Sequence, residues 1–399
     1  MKYLQILCCF LSLAILASCS SQSTAIQPMP SYTASLQPTN TPAVIQINQT
    51  PLSMTQAWGK SNISKFPVTF GDNFFNPGGS YGENVITDDD QICGNVELSY
   101  HIRDQAQRLQ LVQPIALVNL HTGVMTTLQT LPAGYQGLSC AVTGDWVVWT
   151  QAYGITYGQF EQNWKIKALN RQTQEVRTLD EGTLPNGQVP PSMLLPYPSA
   201  SHGIVVWTTF ADNQGTVQAV QYNFDTKQQT VLGRNISFPL ISWPWVNWGD
   251  SVRKGIVFKN LETQQMSFLP THPTTSAFSG TSFVSSNADY SAITLIPSIS
   301  PDTIGTTYIV GNGINGDFVQ FPTLNDRLVT WDSNETLFAY DRKLQRLIQI
   351  DGINANPRPY ISSHYFVWEL PLSKEDLAGG DQGKVVHQFL YVIDTNSLP

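Results

Sequence analysis

Gly78-Gly79-Ser80-Tyr81-Gly82 carries the Gly-x-Ser-x-Gly spacing of a nucleophile elbow, in which Ser80 would be an acylating hydroxyl held on a strained strand-to-helix turn. Asn76-Pro77 stands before it and the β-prone Val85-Ile86-Thr87 follows, so the stretch reads as a Gly-rich loop. Asp88-Asp89-Asp90 is the densest acidic cluster and calcium would be its natural cation, yet the Gly and the later Glu of a calcium loop do not fall in place. It reads as a solvated turn. The six His include no His-Glu-x-x-His and no pair at metal spacing, so neither a metal nor a cofactor is expected. Ten Trp could stack sugars, but five recur at one position of a repeat, which makes those five core. Paired carboxylates for glycoside cleavage are defined by their separation in space, which a sequence does not give. No catalytic residue is assigned.

The elements around these residues begin with a leader. Lys2 gives a positive start, and Leu4 to Ala17 is an uncharged apolar run of 14 residues, the length of a signal-peptide core and too short to span a bilayer comfortably. It ends in Leu16-Ala17-Ser18-Cys19, which resembles the bacterial lipobox in every position. That resemblance implies cleavage before Cys19, a diacylglycerol on its thiol and an acylated amine; two or three acyl chains hold a protein where one would not. Ser20 to Gln56 contains no Lys, Arg, Asp or Glu and is rich in Ser, Thr, Gln and Pro, so it cannot bury enough apolar surface to order itself. As a flexible coil it would span about 35 Å. The expected organisation is a signal peptide over residues 1–18, a lipidated Cys and disordered tether over 19–57, and one large domain over 58–399.

That domain is legible through a repeat. Asn-x-x-Thr followed six residues later by Leu occurs at Asn119/Thr122/Leu128, Asn170/Thr173/Leu179, Asn223/Thr226/Leu232 and Asn260/Thr263/Leu269. Degenerate copies stand at Asn312/Asn315/Phe321 and Asp341/Leu344/Ile350, and a truncated one begins at Asp394. Asn or Asp at a corner hydrogen-bonds the backbone two residues on, so the motif joins two strands by a tight turn. Upstream, Trp146-Val147-Val148-Trp149, Ile204-Val205-Val206-Trp207, Trp245-Val246-Asn247-Trp248, Leu328-Val329-Thr330-Trp331 and Phe366-Val367-Trp368 each close a β-prone run on Trp. Each module is therefore four antiparallel strands, a to d, with Trp ending b and the Asn turn joining c to d. Such sheets repeated every 40 to 55 residues or so predict an all-β fold, a β-propeller. Seven corners predict seven blades, or six if the copy at Asn312 is chance, since only 29 residues separate it from Asp341. The last module lacks a d strand, and a strand near Phe66 to Phe70 is expected to fill that place and close the ring. Two stacked β-sandwiches would explain the strands but not the fixed repeat.

The Ile/Val-rich strand followed by Asn/Asp-x-x-Thr resembles the TolB-like and YVTN-type bacterial propellers over residues 65–399, without the Ser-Pro-Asp-Gly turn of TolB between a and b. The resemblance implies the fold; propellers host binding, scaffolding and several chemistries. Charged residues make up 13% of the chain, the net charge is -8 and no Lys/Arg cluster occurs, which excludes nucleic acid as a partner and charge-driven recruitment to anionic lipid. Cys93 on strand b of the first module and Cys140 on strand a of the second are either a disulfide or two buried thiols. The b-to-c and d-to-a connections include the long stretches Tyr100 to Pro114, Gln151 to Asn163, Asp180 to Pro198 and Leu370 to His387. A ligand face is expected there, with His101, Arg103, Tyr153, Tyr157 and Tyr197 as its residues. The expected function is an envelope lipoprotein, membrane-bound through its lipid, whose propeller binds or scaffolds a protein or glycan partner. The alternatives are an extracytoplasmic propeller enzyme acting on a polysaccharide or peptide, and a purely structural envelope component. The first two differ in whether acidic or His side chains converge at the mouth of the central channel.

Overall fold

The computed structural model describes residues 43–399 except 48, 68, 71–72, 78–83, 98–108, 155–162, 184–194, 213–215, 251, 271–274, 288–289, 300–305, 311–318, 334–335, 351–358 and 371–388. It forms seven separate sheets, each built on four antiparallel strands in meander order. Blade 1 is Asn73–Pro77, Gln91–Glu97, Pro114–Asn119 and Met125–Thr130, with the short Thr69–Phe70 beside its a strand. Blade 2 is Tyr135–Thr143, Trp146–Tyr153, Asn163–Asn170 and Val176–Thr183. Blade 3 is Ser199–Ser201, Ile204–Phe210, Val217–Asn223 and Gln228–Arg234; blade 4 is Ile236–Ser242, Trp245–Asp250, Gly255–Asn260 and Met266–Leu269. Blade 5 is Ser276–Ser279, Ser282–Ser286, Ile293–Ile296 and Thr306–Val310; blade 6 is Val319–Leu324, Leu328–Ser333, Thr336–Asp341 and Arg346–Gln349. Blade 7 takes a, b and c from Pro359–Ile361, Tyr365–Leu370 and Phe389–Asp394, and its d strand from the other end of the chain, Ile63–Pro67. That strand pairs Ile63 with Ile393 and Phe66 with Leu390, so the ring closes as expected, by a strand three residues earlier than the sequence suggested.

The corner motif works through one side-chain oxygen. Asn119, Asn170, Asn223 and Asn260 each accept from the backbone N–H groups two and three residues on, and Asp341 does the same with Lys343 and Leu344. The next residue is left-handed, at Gly123, Gln174, Lys227, Gln264 and Gln345. A backbone bond then ties every c–d corner to its own a–b turn: Leu120 to Asp90, Arg171 to Asp145, Phe224 to Gly203, Leu261 to Pro244, Arg342 to Arg327 and Thr395 to His364. Blade 5 makes the same bond from Ile299 to Thr281, which puts its corner at Ser298. Asn312, the expected corner, lies outside the described residues, and the Phe321 of that copy lies in the a strand of blade 6. The count of seven holds, with Ser298 in the place assigned to Asn312.

The five repeated Trp are core. Trp149, Trp207, Trp248, Trp331 and Trp368 are at most 6% exposed, and each sits in a hydrophobic cluster shared by two neighbouring blades. Seven such clusters occur, one for every blade interface. Aromatic rings fill the wedge between twisted sheets and account for much of the apolar area that the ring buries. Cys93 and Cys140 form a disulfide across the first of these interfaces, between strand b of blade 1 and strand a of blade 2, with Cα atoms 6.0 Å apart.

Residues 43–57, expected as part of the tether, are instead folded onto the propeller except residue 48, which lies outside the described residues. Ala43–Ile47 pairs in parallel with the outer strand of blade 5, and Leu52–Ser53 with that of blade 6. The helix Met54–Trp58 follows, opened by a capping box between Ser53 and Gln56. Trp58 is buried, and its indole N–H donates to the fully buried Asp341 carboxylate at 3.0 Å. Ile47, Met54 and Trp58 supply the apolar anchors that an average over a Ser/Thr/Gln-rich stretch conceals. The same carboxylate takes Arg327, which also reaches the Leu398 and Pro399 carbonyls. Trp58, Leu398 and Pro399 are thereby held against blade 6. Among the described residues no helix is long and apolar enough to cross a membrane.

Candidate functional site at the axial mouth

Because every a strand runs into its a–b turn and every c strand into its corner, all these short turns emerge on one face. There a cavity of about 450 Å³ is lined by residues of blades 1, 3, 4, 5 and 7. Blade 1 contributes Asp88 and Asp90, and blade 3 His202. Trp243 comes from blade 4, Ser279 from blade 5, and His364 with Tyr365 from blade 7. The scaffold places these side chains by the turn-to-turn bonds described above. Each bond fixes the backbone of the turn while leaving its side chains to differ from blade to blade. They do differ: acidic in blade 1, imidazole and indole in blades 3 and 4, hydroxyl and imidazole in blades 5 and 7.

The three Asp divide their work. Asp89 turns sideways to the Arg171 guanidinium of blade 2, at 2.8 and 3.1 Å. Burial acts to raise its pKa, but hydrogen bonds from Thr87 and Arg171 and the Arg171 charge outweigh it and hold the carboxyl below the usual carboxylate range. Asp90 lies 2.9 Å from His121 Nε2, and Tyr365 Oη lies 3.3 Å from that same nitrogen. Burial, then the charge of Asp90 and a hydrogen bond to it, push the Tyr365 phenol up to about 12. With its proton on Nε2 the imidazole donates to Asp90, so a carboxylate of blade 1 takes donors from its own corner and from blade 7. This set clamps the seam where the ring closes. Asp88 is left lining the cavity. The reading of a solvated turn holds for its position and misses these two bridges, which join residues far apart in sequence.

His202 stacks on Trp243 with ring centroids 5.7 Å apart and planes 13° apart, which bridges the turns of blades 3 and 4. His364 Nδ1 lies 2.8 Å from the Asn396 amide. Acidic and His side chains therefore do converge on the channel mouth, but among the described residues no group of three His, Cys, Asp or Glu could hold a metal ion.

Of the ligand-face residues singled out from sequence, the structure describes Tyr153 and Tyr197. Cys19, His101, Arg103 and Tyr157 lie outside the described residues, as do Ser80 and its flanking glycines. Tyr153 ends the b strand of blade 2 on the opposite face, 39% exposed, its ring edge-on to Tyr135. Tyr197 is half-buried and packs against the cluster between blades 2 and 3. A second hollow of about 430 Å³ runs between blades 1 and 2, lined by Tyr135, Trp149, Val176, Lys165 and Lys167. There burial, and then the Lys165 charge, lower the pKa of Lys167. Sequence reasoning passed over Trp243 because it precedes the periodic Trp pair of its blade. The available signal was that very departure from the repeat.

No protein-family model and no curated protein sequence matches the chain. Solved structures do. The chain superposes on a prolyl endopeptidase with a TM-score of 0.52 and 8% identity, over 76% of this chain but only 46% of the endopeptidase. An oligogalacturonate lyase from Vibrio parahaemolyticus matches with a TM-score of 0.49 and 10% identity over 86% of this chain and 96% of the lyase. YCF48 from Cyanidioschyzon merolae matches with 0.48 and 7% over 84% and 99%. At such identities the likeness is one of fold, and the chain is a seven-bladed β-propeller.

Proposed function

We propose that this protein is a lipid-anchored binding module of the bacterial cell envelope, TolB-like in its repeat, held outside the cytoplasmic membrane through Cys19. The anchor rests on the lipobox at Leu16 to Cys19 behind an apolar core, and the TolB-like character on the Ile/Val-rich c strand with its Asn/Asp corner. The binding role rests on one observation, the axial cavity whose wall carries turn residues that do not repeat, Asp88, His202, Trp243 and His364, among serines that do. In a repeat, positions that serve the scaffold recur, as the corner Asn and the interface Trp do; positions that face one shared cavity and do not recur are free to be specific. This moves the ligand from the long-loop face, where the sequence suggested it, to the short-turn face. Binding is favoured over catalysis because Asp90, His121 and Tyr365, the nearest approach to a reactive set, are spent on one another across a blade seam.

Two measurements test this reading. Mass spectrometry of the mature amino terminus should give a diacylated or triacylated Cys19, and an unmodified start would refute the anchor. In ligand capture from envelope extract, His202→Ala should lose the ligand and Tyr153→Ala should keep it. The reverse pattern would return the site to the long-loop face, and turnover of a polysaccharide or peptide by the purified chain would replace binding with an enzyme.

A further inference from the structure

We infer that the axial cavity is a subsite for an uncharged saccharide, an inference that rests on the binding reading above and names its ligand class. Three features of the wall select this chemistry. First, among the described residues it holds carboxylates and no Lys or Arg, so a phosphate, sulfate or uronate finds no fixed cation there, and Asp88 repels one. Second, the wall carries hydroxyls that both donate and accept: those of Ser242 and Ser279, and those of Ser201 and Ser362, which accept from the backbone of Trp243 and of His364 and Tyr365 and keep their protons to donate. A polyol, whose every hydroxyl also does both, satisfies such a wall. An ammonium or guanidinium only donates, and finds Asp90 already engaged by His121 and Tyr365. Third, Trp243 is held against His202 by stacking, and a fixed indole in a hydroxyl-rich wall gives the apolar C–H face of a sugar ring its partner. The volume of about 450 Å³ suits one or two sugar units, with the rest of a longer chain left in solvent.

Isothermal titration of the full chain with a panel of neutral di- and trisaccharides built from glucose, galactose and N-acetylglucosamine tests the inference, with a galacturonate trimer and a Lys-rich peptide beside them. At least one neutral sugar should bind, and the galacturonate trimer should not. Trp243→Ala and Asp88→Asn should each weaken the neutral sugar by about tenfold or more, the loss of roughly one stacking or charge-assisted hydrogen-bond contribution. Trp243→Phe, with an unchanged unfolding temperature, should retain part of the affinity, which separates loss of the platform from loss of the fold. Binding of none of the neutral sugars at millimolar concentration would overturn the inference. Equal binding by wild type and the Asp88 and Trp243 variants would do so as well. Binding of the peptide alone, abolished by Asp88→Asn, would overturn the saccharide and leave the axial binding site standing.

Discussion

At the corner of blade 2 a single atom, Asn170 Oδ1, accepts from the backbone of Gln172 and Thr173. Asn170→Ala leaves both donors to water and is expected to cost about 1–2 kcal/mol, read as a lower urea midpoint with unchanged slope. Gln264, held at φ 60° in the corresponding place of blade 4, should by contrast tolerate glycine, and Gln264→Gly should change stability by less than about 1 kcal/mol. Gly123 is different, because a Cβ there would lie 2.7 Å from Phe66 of the closing strand. The Tyr365 phenol gives a pH signature. Its folded pKa of about 12 stands above the ordinary phenol value of 10.0, so the stability it carries is full below pH 10 and lost as the pH rises from 10 towards 12. Tyr365→Phe should flatten that part of the alkaline unfolding profile. The corners were legible in the sequence because their bonds join residues two and three apart. Ser298 was not, because no Asn or Asp marks that corner in the sequence, while Asn312 nearby imitates the motif.

Between blades the decisive contacts are rings and one disulfide. Trp207 is fully buried between blades 2 and 3, and its indole donates to Asp180 at 2.7 Å. Trp207→Ala should cost about 3–5 kcal/mol, chiefly through the cavity left, with the donor to Asp180 Oδ2 lost as well. In blade 1, Gln91 pairs with Asn119 as Trp146 pairs with Asn170, which puts Gly94 where Trp149 stands. Blades 1 and 5 lack the repeated ring, and in blade 1 the neighbouring residue, Cys93, is covalently joined to the next blade. Replacing both cysteines by Ala should lower stability by about 2–4 kcal/mol in denaturant, and adding reductant should bring the wild type to the same midpoint. The periodic Trp predicted the interfaces because burial repeats with the blade. The disulfide stayed open in the sequence because the spacing of two cysteines does not fix their distance in space.

Across the whole molecule, closure depends on the amino-terminal segment. It lies along the outer strands of blades 5 and 6 before it becomes the fourth strand of blade 7. A chain beginning at residue 68 lacks that strand and the Trp58–Asp341 bond, and should unfold at a markedly lower temperature than one beginning at residue 43. The propeller itself was legible, since its repeat is local. The axial mouth was not, because it gathers single residues from turns more than 250 positions apart, each in a segment that reads as ordinary loop. The central claim is that the non-repeating turn residues form the binding site. Hydrogen exchange of the full chain, with and without the carbohydrate fraction of the envelope, tests it most directly. The account predicts slowed exchange over residues 86–90, 201–203, 242–244 and 362–365. Slowing confined to residues 151–154 and the other b–c and d–a connections, with none in the short turns, would contradict it.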